Sequence, residues 1–360
     1  MGTLRDSPNS SLSFVPKPKI DLSKVPRLVM AFYHNWYGSP TGPSRQWMHW
    51  NHPVWVTSNG EVVGMHDPEK FLSPDRRDIG ATNYPLKGPY DSRDPEIIRW
   101  HIKMAREVGI DVFIIDWWGD TGGQEISDIS MKAIMDLNEK EGLGMRFCIL
   151  FGGLWTQQQP PPLDATVTRL EYAIKKFGNR PSYLRVGGAP AIFTYATQVY
   201  PASIWSKIIN EVRRDGYSVL FFSDAFNDDY ADVFDGLQTY APPGLFDQNQ
   251  DFAKAYKSVS RLAISRGEPF GFNVIPGYDD RKVRQPGRVL PHEDGATYEK
   301  LWKAVLSSGC QWALITSWNE WHEGTEIEPS IEHGHRYLEM TKTFSKMFKK
   351  RKDETRLVQP

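Results

Sequence analysis

Residues Trp312–Thr325 have the sequence WALITSWNEWHEGT. The first five form an apolar run that predicts a buried strand. The remainder sets Glu320 and Glu323 three residues apart, among tryptophans, an amide and an imidazole. The same pattern, a short apolar run that leads into polar and aromatic residues, recurs along the chain.

Short apolar runs at eight places predict strands. Most are rich in Val, Ile, Phe and Leu, as expected of strands that are buried on both faces. They are Leu28–Tyr33, Ile110–Ile115, Met145–Leu150, Ala191–Tyr195, Val219–Ser223, Gly236–Tyr240, Phe270–Ile275 and Trp312–Thr316.

Amphipathic segments between these runs predict helices. Asp94 and Pro95 are residue types preferred where a helix begins, and Gly109, Gly267 and Gly309 follow apolar stripes as left-handed caps do. Alternating strands and helices favour parallel strands joined by right-handed crossovers. We therefore predict an α/β fold, a (β/α)8 TIM barrel. The alternative is an open doubly wound sheet, but the G-x-G-x-x-G motif that such sheets often carry is absent.

The domain organisation is simple. We predict an N-terminal leader segment at residues 1–26, a catalytic domain at 27–350 and a C-terminal tail at 351–360. The leader is rich in Ser, Pro and Lys and has no apolar core of a signal peptide. We therefore expect a cytoplasmic protein, or a secreted or periplasmic one whose signal is missing from this sequence.

The overall composition argues against several classes of function. With a formal net charge of -1, the chain has no basic excess that would favour nucleic acid or an anionic membrane as a partner. No apolar stretch approaches the roughly 18 residues of a membrane span. Cys148 and Cys310 lie in apolar runs, which favours buried free thiols over a disulfide.

A long connection, residues 35–93, follows the first predicted strand, and long loops inside a domain are usually functional. It is rich in aromatic and imidazole side chains. The reactive face of a barrel lies at the carboxyl ends of its strands. From this loop and that face we predict the following substrate-binding residues: Tyr33, Trp36, Tyr37, His49, Trp50, His52, Trp118, Tyr195, Tyr240, Tyr278, Trp318, Asn319 and His322.

Aromatic side chains of this kind suit a carbohydrate cleft. Their flat faces pack on the C–H faces of sugar rings, while Tyr and Trp keep a polar edge for hydroxyl groups. An oligosaccharide or polysaccharide is therefore the expected partner. The alternative is that the aromatic side chains only plug the top of the barrel.

Glu320 and Glu323 are the candidate catalytic residues. Loss of water raises the pKa of a carboxyl group, and two neighbouring carboxyl groups push their pKa values apart, as a general acid beside a general base requires. The alternative is a surface turn with two solvated glutamates.

We expect no metal or cofactor, because the order Glu320-x-His322-Glu323 is not the H-E-x-x-H of zinc hydrolases. A G-x-S-x-G nucleophile motif is also absent.

Blocks of sequence in the same order resemble the family 99 glycoside hydrolases, which are endo-α-mannosidases and endo-α-mannanases. The resemblance covers about residues 28–345. The matching blocks are Trp36-Tyr37-Gly38, His49-Trp50-Asn51-His52-Pro53, Asp78-Ile79-Gly80, Tyr84-Pro85, Tyr90-x-Ser92-Arg93-Asp94-Pro95, Thr239-Tyr240, Pro276-Gly277-Tyr278 and Thr316-Ser317-x-Asn319-Glu320-Trp321-His322-Glu323-Gly324-Thr325-x-Ile327-Glu328.

The resemblance implies a (β/α)8 barrel and a retaining mechanism on α-glycosides. It implies that Glu320 removes the proton from the substrate's own 2-hydroxyl, which attacks the anomeric carbon and gives a 1,2-anhydro sugar. It implies that Glu323 protonates the departing oxygen and then activates water to open the epoxide. The usual retaining enzyme uses a carboxylate as the nucleophile instead.

Two positions depart from the family pattern. Leu150 stands where the endomannosidases usually have a substrate-contacting glutamate, and Asp116-Trp117-Trp118 differs from their usual Ser-Trp. The expected function is a retaining glycoside hydrolase for α-mannosides or related α-glycosides. The alternatives are a glycosidase for a non-mannose α-glycoside, and a carbohydrate-binding or polysaccharide-assembly module without hydrolysis.

Overall fold

The computed structural model describes residues 15–120, 125–152, 161–247 and 250–351, so most of the predicted leader and tail lie outside it. Within those ranges a parallel barrel of eight strands forms the centre of the molecule. The strands are β1 (Leu28–Tyr33), β2 (Val112–Trp117), β3 (Arg146–Phe151), β4 (Ala189–Thr194), β5 (Leu220–Ser223), β6 (Gly236–Gln238), β7 (Phe270–Val274) and β8 (Trp312–Ile315).

Each strand pairs in parallel with the next, and the circle closes because β8 pairs with β1. Leu28 of β1 lies opposite Trp312 of β8, and Met30 lies opposite Val112 of β2. The closed sheet confirms the predicted barrel and excludes the open sheet. The short antiparallel strand Arg185–Val186 adds a hairpin to the edge of β4.

The eight predicted strands are confirmed, with shifted ends. The second strand runs over Val112–Trp117 instead of Ile110–Ile115, and Tyr240 and Thr316 lie just past their strands. Ile110 N still donates to Ala105 O of the preceding helix, so pairing with β1 begins only at Val112. At the other end, pairing with β3 continues through the polar Asp116, which an apolar pattern does not mark as strand.

Helices pack outside the barrel in the described part of the chain. They are α1 (Pro95–Glu107), α2 (Glu125–Glu141), α3 (Leu163–Ala173), α4 (Ala202–Arg214), α5 (Asp228–Val233), α6 (Phe252–Arg266), α7 (Ala296–Ser308) and α8 (Arg336–Lys350). Asp94 caps α1 by accepting a hydrogen bond from Glu96 N, and Gly267 and Gly309 end α6 and α7 in the left-handed conformation, as predicted. None of the described helices is both long and apolar enough to cross a membrane.

The core is continuous from the barrel interior to the helices. Trp312 of β8 packs between Phe193 of β4 and Phe222 of β5, with ring centroids 5.8 and 4.9 Å away. Full burial of such a side chain stabilises the fold by roughly 1.5–3 kcal/mol. Cys148 and Cys310 are both buried and free, as predicted from their apolar surroundings.

The long loop after β1 has a hydrophobic cluster of its own. Tyr37, Trp50, Tyr84, Tyr90 and Trp321 are buried together there, separately from the barrel core. The loop also forms the strands Pro53–Val56 and Val62–Met65, which join Arg284–Gln285 in a small sheet. The loop is therefore a folded unit held against the carboxyl end of the barrel, since Trp321 belongs to the segment after β8.

Candidate active site

A cavity of about 590 Å³ opens where the barrel strands end. Its lining residues come from the long loop, from the ends of β2 and β3, from the start of α2, and from the segments that follow β1, β4, β6, β7 and β8. They are His34, Trp36, His49, His52, Asp116, Trp118, Ile126, Ser127, Leu150, Tyr195, Tyr240, Val283, Arg284, Glu320, His322 and Glu323. Both candidate catalytic glutamates therefore face the same cavity.

Glu320 is held between two imidazoles. Its Oε2 lies 3.0 Å from His34 Nδ1, and its Oε1 lies 3.1 Å from His322 Nδ1. The backbone also contacts this carboxylate, because His322 N donates to Oε1 at 3.1 Å. The main chain of Glu320 is itself fixed, because its N donates to Ser317 Oγ at 2.6 Å. Every oxygen of Glu320 thus has a donor or a cation beside it.

The electrostatic consequence is a strongly acidic carboxyl group. Burial by itself raises the pKa of Glu320, but His34 and His322 outweigh burial and lower that pKa to about 2. Burial likewise opposes the charge on His34, yet Glu320 and Asp116 raise the pKa of its imidazole. Glu320 is therefore a carboxylate at neutral pH, beside a histidine whose pKa is raised.

Glu323 has the opposite character. Burial and then the negative charge of Glu320 raise its pKa, against the opposing effect of Arg284. Tyr278 Oη donates to Glu323 Oε1 at 3.3 Å, and Arg284 Nη1 lies at the same distance. The backbone carbonyl of Glu323 accepts from Asp279 N at 2.7 Å, which fixes the turn. The site therefore pairs an ionised carboxylate with a carboxyl group that retains its proton more readily.

Aromatic and imidazole rings stack along one wall. Trp36 stacks on His49, with ring centroids 4.7 Å apart and ring planes 7° apart. The ring centroids of His52 and His322 lie 4.2 Å apart. Burial lowers the pKa of His52 to about 3, and its Nδ1 contacts Pro53 O at 2.7 Å. A carbonyl only accepts, so neutral His52 carries its proton on Nδ1 and its Nε2 can accept a hydrogen bond.

Another part of the wall is built from tyrosines. Tyr195 and Tyr240 pack edge to face, 4.9 Å apart, and the Tyr240 hydroxyl lies 3.5 Å from His34 Nε2. Trp118 approaches Trp36 edge to face at 5.9 Å. The predicted binding residues Trp36, His49, His52, Trp118, Tyr195, Tyr240 and His322 are thus brought together around the two glutamates.

The structure does not bring every predicted binding residue to the cavity. Tyr33, Tyr37, Trp50, Trp318 and Asn319 are fully buried behind it. Tyr278 lies outside the lining but reaches Glu323. Residue type alone could not separate these positions from the lining, because aromatic side chains serve equally well as core.

Asn319 shows what such a buried residue does. Its Oδ1 accepts from His34 N and its Nδ2 donates to His34 O, both at 2.8 Å. This double hydrogen bond joins the segment after β8 to the end of β1. Asn319 therefore fixes the backbone of the histidine that contacts Glu320.

Three charged lining residues were missed by the sequence-based site prediction. His34 directly follows β1, Asp116 lies at the end of β2, and Arg284 lies in the small sheet beside Trp55. His34 and Asp116 stand at strand ends and could have been included on that ground. Arg284 carries no such signal, because it is brought to Glu323 by a pairing between two distant short strands.

Comparison with known proteins identifies the same family as the sequence blocks. A family model for glycosyl hydrolase family 99 matches residues 24–354. The chain is 28% identical over 375 residues to the glycoprotein endo-alpha-1,2-mannosidase of Mus musculus, covering 92% of this chain and 78% of that protein. It is 28% identical over 360 residues to a glycoprotein endo-alpha-1,2-mannosidase-like protein of Homo sapiens, covering 90% and 76%.

A solved structure agrees at the level of the fold. The GH99 endo-alpha-mannosidase from Bacteroides thetaiotaomicron superposes with a TM-score of 0.75 at 27% identity, covering 92% of this chain and 99% of that one. Because the family model spans most of the chain and this structure spans most of the barrel, the protein belongs to glycosyl hydrolase family 99 and is a glycoside hydrolase.

Proposed function

We propose that the protein hydrolyses α-mannosidic bonds of an oligosaccharide or polysaccharide with retention of configuration, through a 1,2-anhydro sugar. The observation that carries the proposal is the opposed shift of two carboxyl groups in one cavity. The pKa of Glu320 is lowered to about 2 while that of Glu323 is raised. The Mus musculus relative and the Bacteroides thetaiotaomicron structure named above are endo-α-mannosidases, which supports α-mannosides as the substrate class.

Glu320 serves as the base for the 2-hydroxyl in this proposal. Its low pKa ensures that it is ionised before substrate arrives. Such a weak base removes a proton efficiently only while O2 is bonding to the anomeric carbon, since that bonding makes the hydroxyl proton far more acidic. Proton transfer and ring closure are therefore concerted.

Glu323 serves as the acid for the departing oxygen. Its raised pKa keeps a proton available, and Arg284 and Tyr278 hold its Oε1. Once the glycosidic oxygen has left with that proton, the Glu323 carboxylate takes a proton from water as water opens the epoxide, and Glu320 returns to O2 the proton that it removed in the first step. Two inversions at the anomeric carbon give net retention.

The geometry of the sugar restricts the substrate. Backside attack requires O2 to be trans to the leaving group, as it is in an α-mannoside and is not in an α-glucoside. This route does not need the nucleophilic carboxylate of ordinary retaining glycosidases, whose two carboxyl groups lie about 5 Å apart.

The decisive experiment compares three aryl glycosides with the same leaving group: α-mannoside, 2-deoxy-α-mannoside and α-glucoside. We expect release of phenol from the first alone, with proton NMR showing the α-anomer as first product. Comparable cleavage of the 2-deoxy compound contradicts attack by O2. Cleavage of none of these and of no α-mannan in a panel contradicts the substrate class.

A second candidate substrate class is a non-mannose α-glycoside, favoured by one observation. Leu150, at the end of β3, lines the cavity next to Asp116. An apolar side chain beside an acid there gives the sugar pocket a chemistry of its own. Any alternative sugar must still present a 2-hydroxyl trans to its leaving group, or Glu320 must act differently. Cleavage of another α-glycoside with that arrangement, faster than the mannoside, favours this second class.

A further inference from the structure

Asp116 has one carboxylate oxygen whose bonding the protein leaves incomplete. The side chain is buried and lines the cavity. Its Oδ2 lies 3.4 Å from His34 Nδ1, whereas Oδ1 has no hydrogen-bond partner within the described ranges. A buried acceptor without a partner costs free energy, so a donor from outside the protein is the natural occupant.

A donor with the same incomplete bonding lies nearby. The Trp118 indole Nε1 is buried and, in the part of the chain that the structure describes, has no acceptor. Both atoms lie against the same glycine, Gly152. A Cβ atom built on that glycine would lie 2.6 Å from Asp116 Oδ1 and 3.3 Å from Trp118 Nε1. The two atoms are therefore less than about 6 Å apart, so one small group in the cavity that both residues line can contact both.

The chemistry of that group follows from its neighbours. A hydroxyl donates one hydrogen bond and accepts others, so one hydroxyl can satisfy the Asp116 carboxylate and the Trp118 N–H together. Leu150 lies opposite Asp116 in the β2–β3 pairing and lines the same cavity. An acceptor and a donor beside an apolar surface match a sugar ring, with its hydroxyl next to a C–H face.

The position of Asp116 assigns the subsite to one side of the cavity. His34 Nδ1 lies within 3.4 Å of both Asp116 and Glu320, while Arg284 lies beside Glu323. Asp116 is therefore on the side of the base and the 2-hydroxyl, away from the acid and the leaving group. A group held there belongs to the glycone part of the substrate.

We propose that Asp116 and Trp118 form a specificity-determining subsite for one hydroxyl group of a neutral glycone sugar. This inference rests on the proposed function for the choice of a glycan as ligand. The negative charge of Asp116 repels a uronate, sulfate or phosphate at that position. The subsite thus selects neutral sugars and rejects acidic ones.

Binding can be tested without turnover in a Glu323→Gln background. The probes are neutral α-linked manno- and gluco-trisaccharides, read by isothermal titration calorimetry. We expect Asp116→Ala to weaken binding of the preferred trisaccharide about 10- to 100-fold, the loss typical of a hydrogen bond to a charged group. Gly152→Ala should weaken it similarly, because the added methyl group would lie 2.6 Å from Asp116 Oδ1 and must push that carboxylate away from its place beside Trp118. The matched control is Gly64→Ala, where the added Cβ meets only Val54 at ordinary contact distance.

Mono-deoxy analogues of the preferred trisaccharide identify the hydroxyl. One analogue should bind the parent protein as weakly as the complete sugar binds Asp116→Ala, and Asp116→Ala should not distinguish the two sugars. Equal affinities for the complete sugar in the parent, Asp116→Ala and Gly152→Ala overturn the inference. So does failure of all the trisaccharides to bind the parent.

Kinetics separate this inference from the proposed function. If the wild type hydrolyses α-mannosides while Asp116→Ala and Gly152→Ala leave KM unchanged, only the subsite is refuted. If Asp116→Ala shifts the pH profile with KM unchanged, Asp116 acts through His34 and the subsite is again refuted. If binding depends on Asp116 and Gly152 but no α-mannoside is cleaved, the subsite stands and the proposed function fails.

Discussion

At the scale of single residues, the site depends on two glutamates that share a turn and differ in environment. Glu320 faces His34 and His322, whereas Glu323 faces Arg284, Tyr278 and the negative charge of Glu320. His34 and His322 thus lower the pKa of Glu320, while the negative charge of Glu320 raises the pKa of Glu323. The two roles follow from contacts, because the side chains are chemically identical.

Isosteric amide substitutions separate the two roles. Glu320→Gln and Glu323→Gln should each lower kcat/KM on an α-mannan by roughly 10²- to 10⁴-fold, as expected for loss of a general base or acid. On an aryl α-mannoside with a highly acidic phenol, Glu323→Gln should keep a fast first turnover, since the leaving group needs little protonation. Glu320→Gln should lose that burst. The control is Glu339→Gln, exposed on α8, and a burst in Glu320→Gln equal to wild type contradicts the assignment.

The pH dependence tests the part that His34 plays. The active form has Glu320 ionised and Glu323 protonated, so kcat/KM should fall at low pH as Glu320 gains a proton and at high pH as Glu323 loses one. His34→Gln removes a positive charge that lowers the pKa of Glu320. The acid limb should therefore move to higher pH, and His335→Gln, exposed before α8, should leave it in place. An acid limb unchanged in His34→Gln refutes this role.

At the scale of elements, the apolar pattern predicted every barrel strand but not where each strand ends. Pairing of β2 continues through Asp116 because a strand end at the cavity carries polar side chains. The same fact explains the missed residues His34 and Asp116. Arg284 could not be predicted from the pattern, since it depends on the pairing of Arg284–Gln285 with Pro53–Val56.

The long loop was predicted as functional from its length and aromatic content, and it supplies Trp36, His49 and His52 to the cavity. Its internal cluster explains why it also needs aromatic residues that never reach the cavity. Trp50 is fully buried, stacks on Tyr37 at 4.3 Å and donates from Nε1 to Tyr90 O at 2.7 Å. In the sequence, the loop residues that line the cavity look the same as those that form the internal cluster, and only the packing distinguishes the two groups.

Removing Trp50 should affect both stability and activity. We expect Trp50→Ala to lower the free energy of unfolding by about 3–5 kcal/mol, as for a large buried aromatic, and to reduce kcat/KM because His49 adjoins it. Trp55→Ala is the matched control in the same loop, since Trp55 is 39% exposed. Its cost should stay below about 1 kcal/mol, within the range of surface substitutions. Denaturant unfolding measures the loss of stability in each variant, and equal losses in Trp50→Ala and Trp55→Ala contradict the cluster's role.

At the scale of the whole molecule, buried carboxyl groups link stability to pH in opposite directions. Glu320 has a lowered pKa, so its contribution is lost as pH falls through about 2. Glu326 is buried, and burial raises its pKa well above the usual range. It therefore binds a proton in the folded state at pH values where the unfolded chain has released it. Between the ordinary pKa of a glutamate and the raised folded-state pKa of Glu326, the free energy of unfolding therefore falls as pH rises.

Glu326→Gln should remove this dependence. Asn83 Nδ2 donates to Glu326 Oε1 at 2.6 Å, and an amide oxygen can accept that bond without a proton having to be taken up. Relative to wild type, we expect the variant to gain up to about 1.4 kcal/mol for each pH unit above the ordinary carboxyl pKa, until the folded-state pKa is reached. Urea unfolding at a series of pH values from acid to mildly alkaline measures this difference, with exposed Glu107→Gln on α1 as control. A difference between Glu326→Gln and wild type that stays constant across the series would mean that Glu326 is ionised in the folded protein.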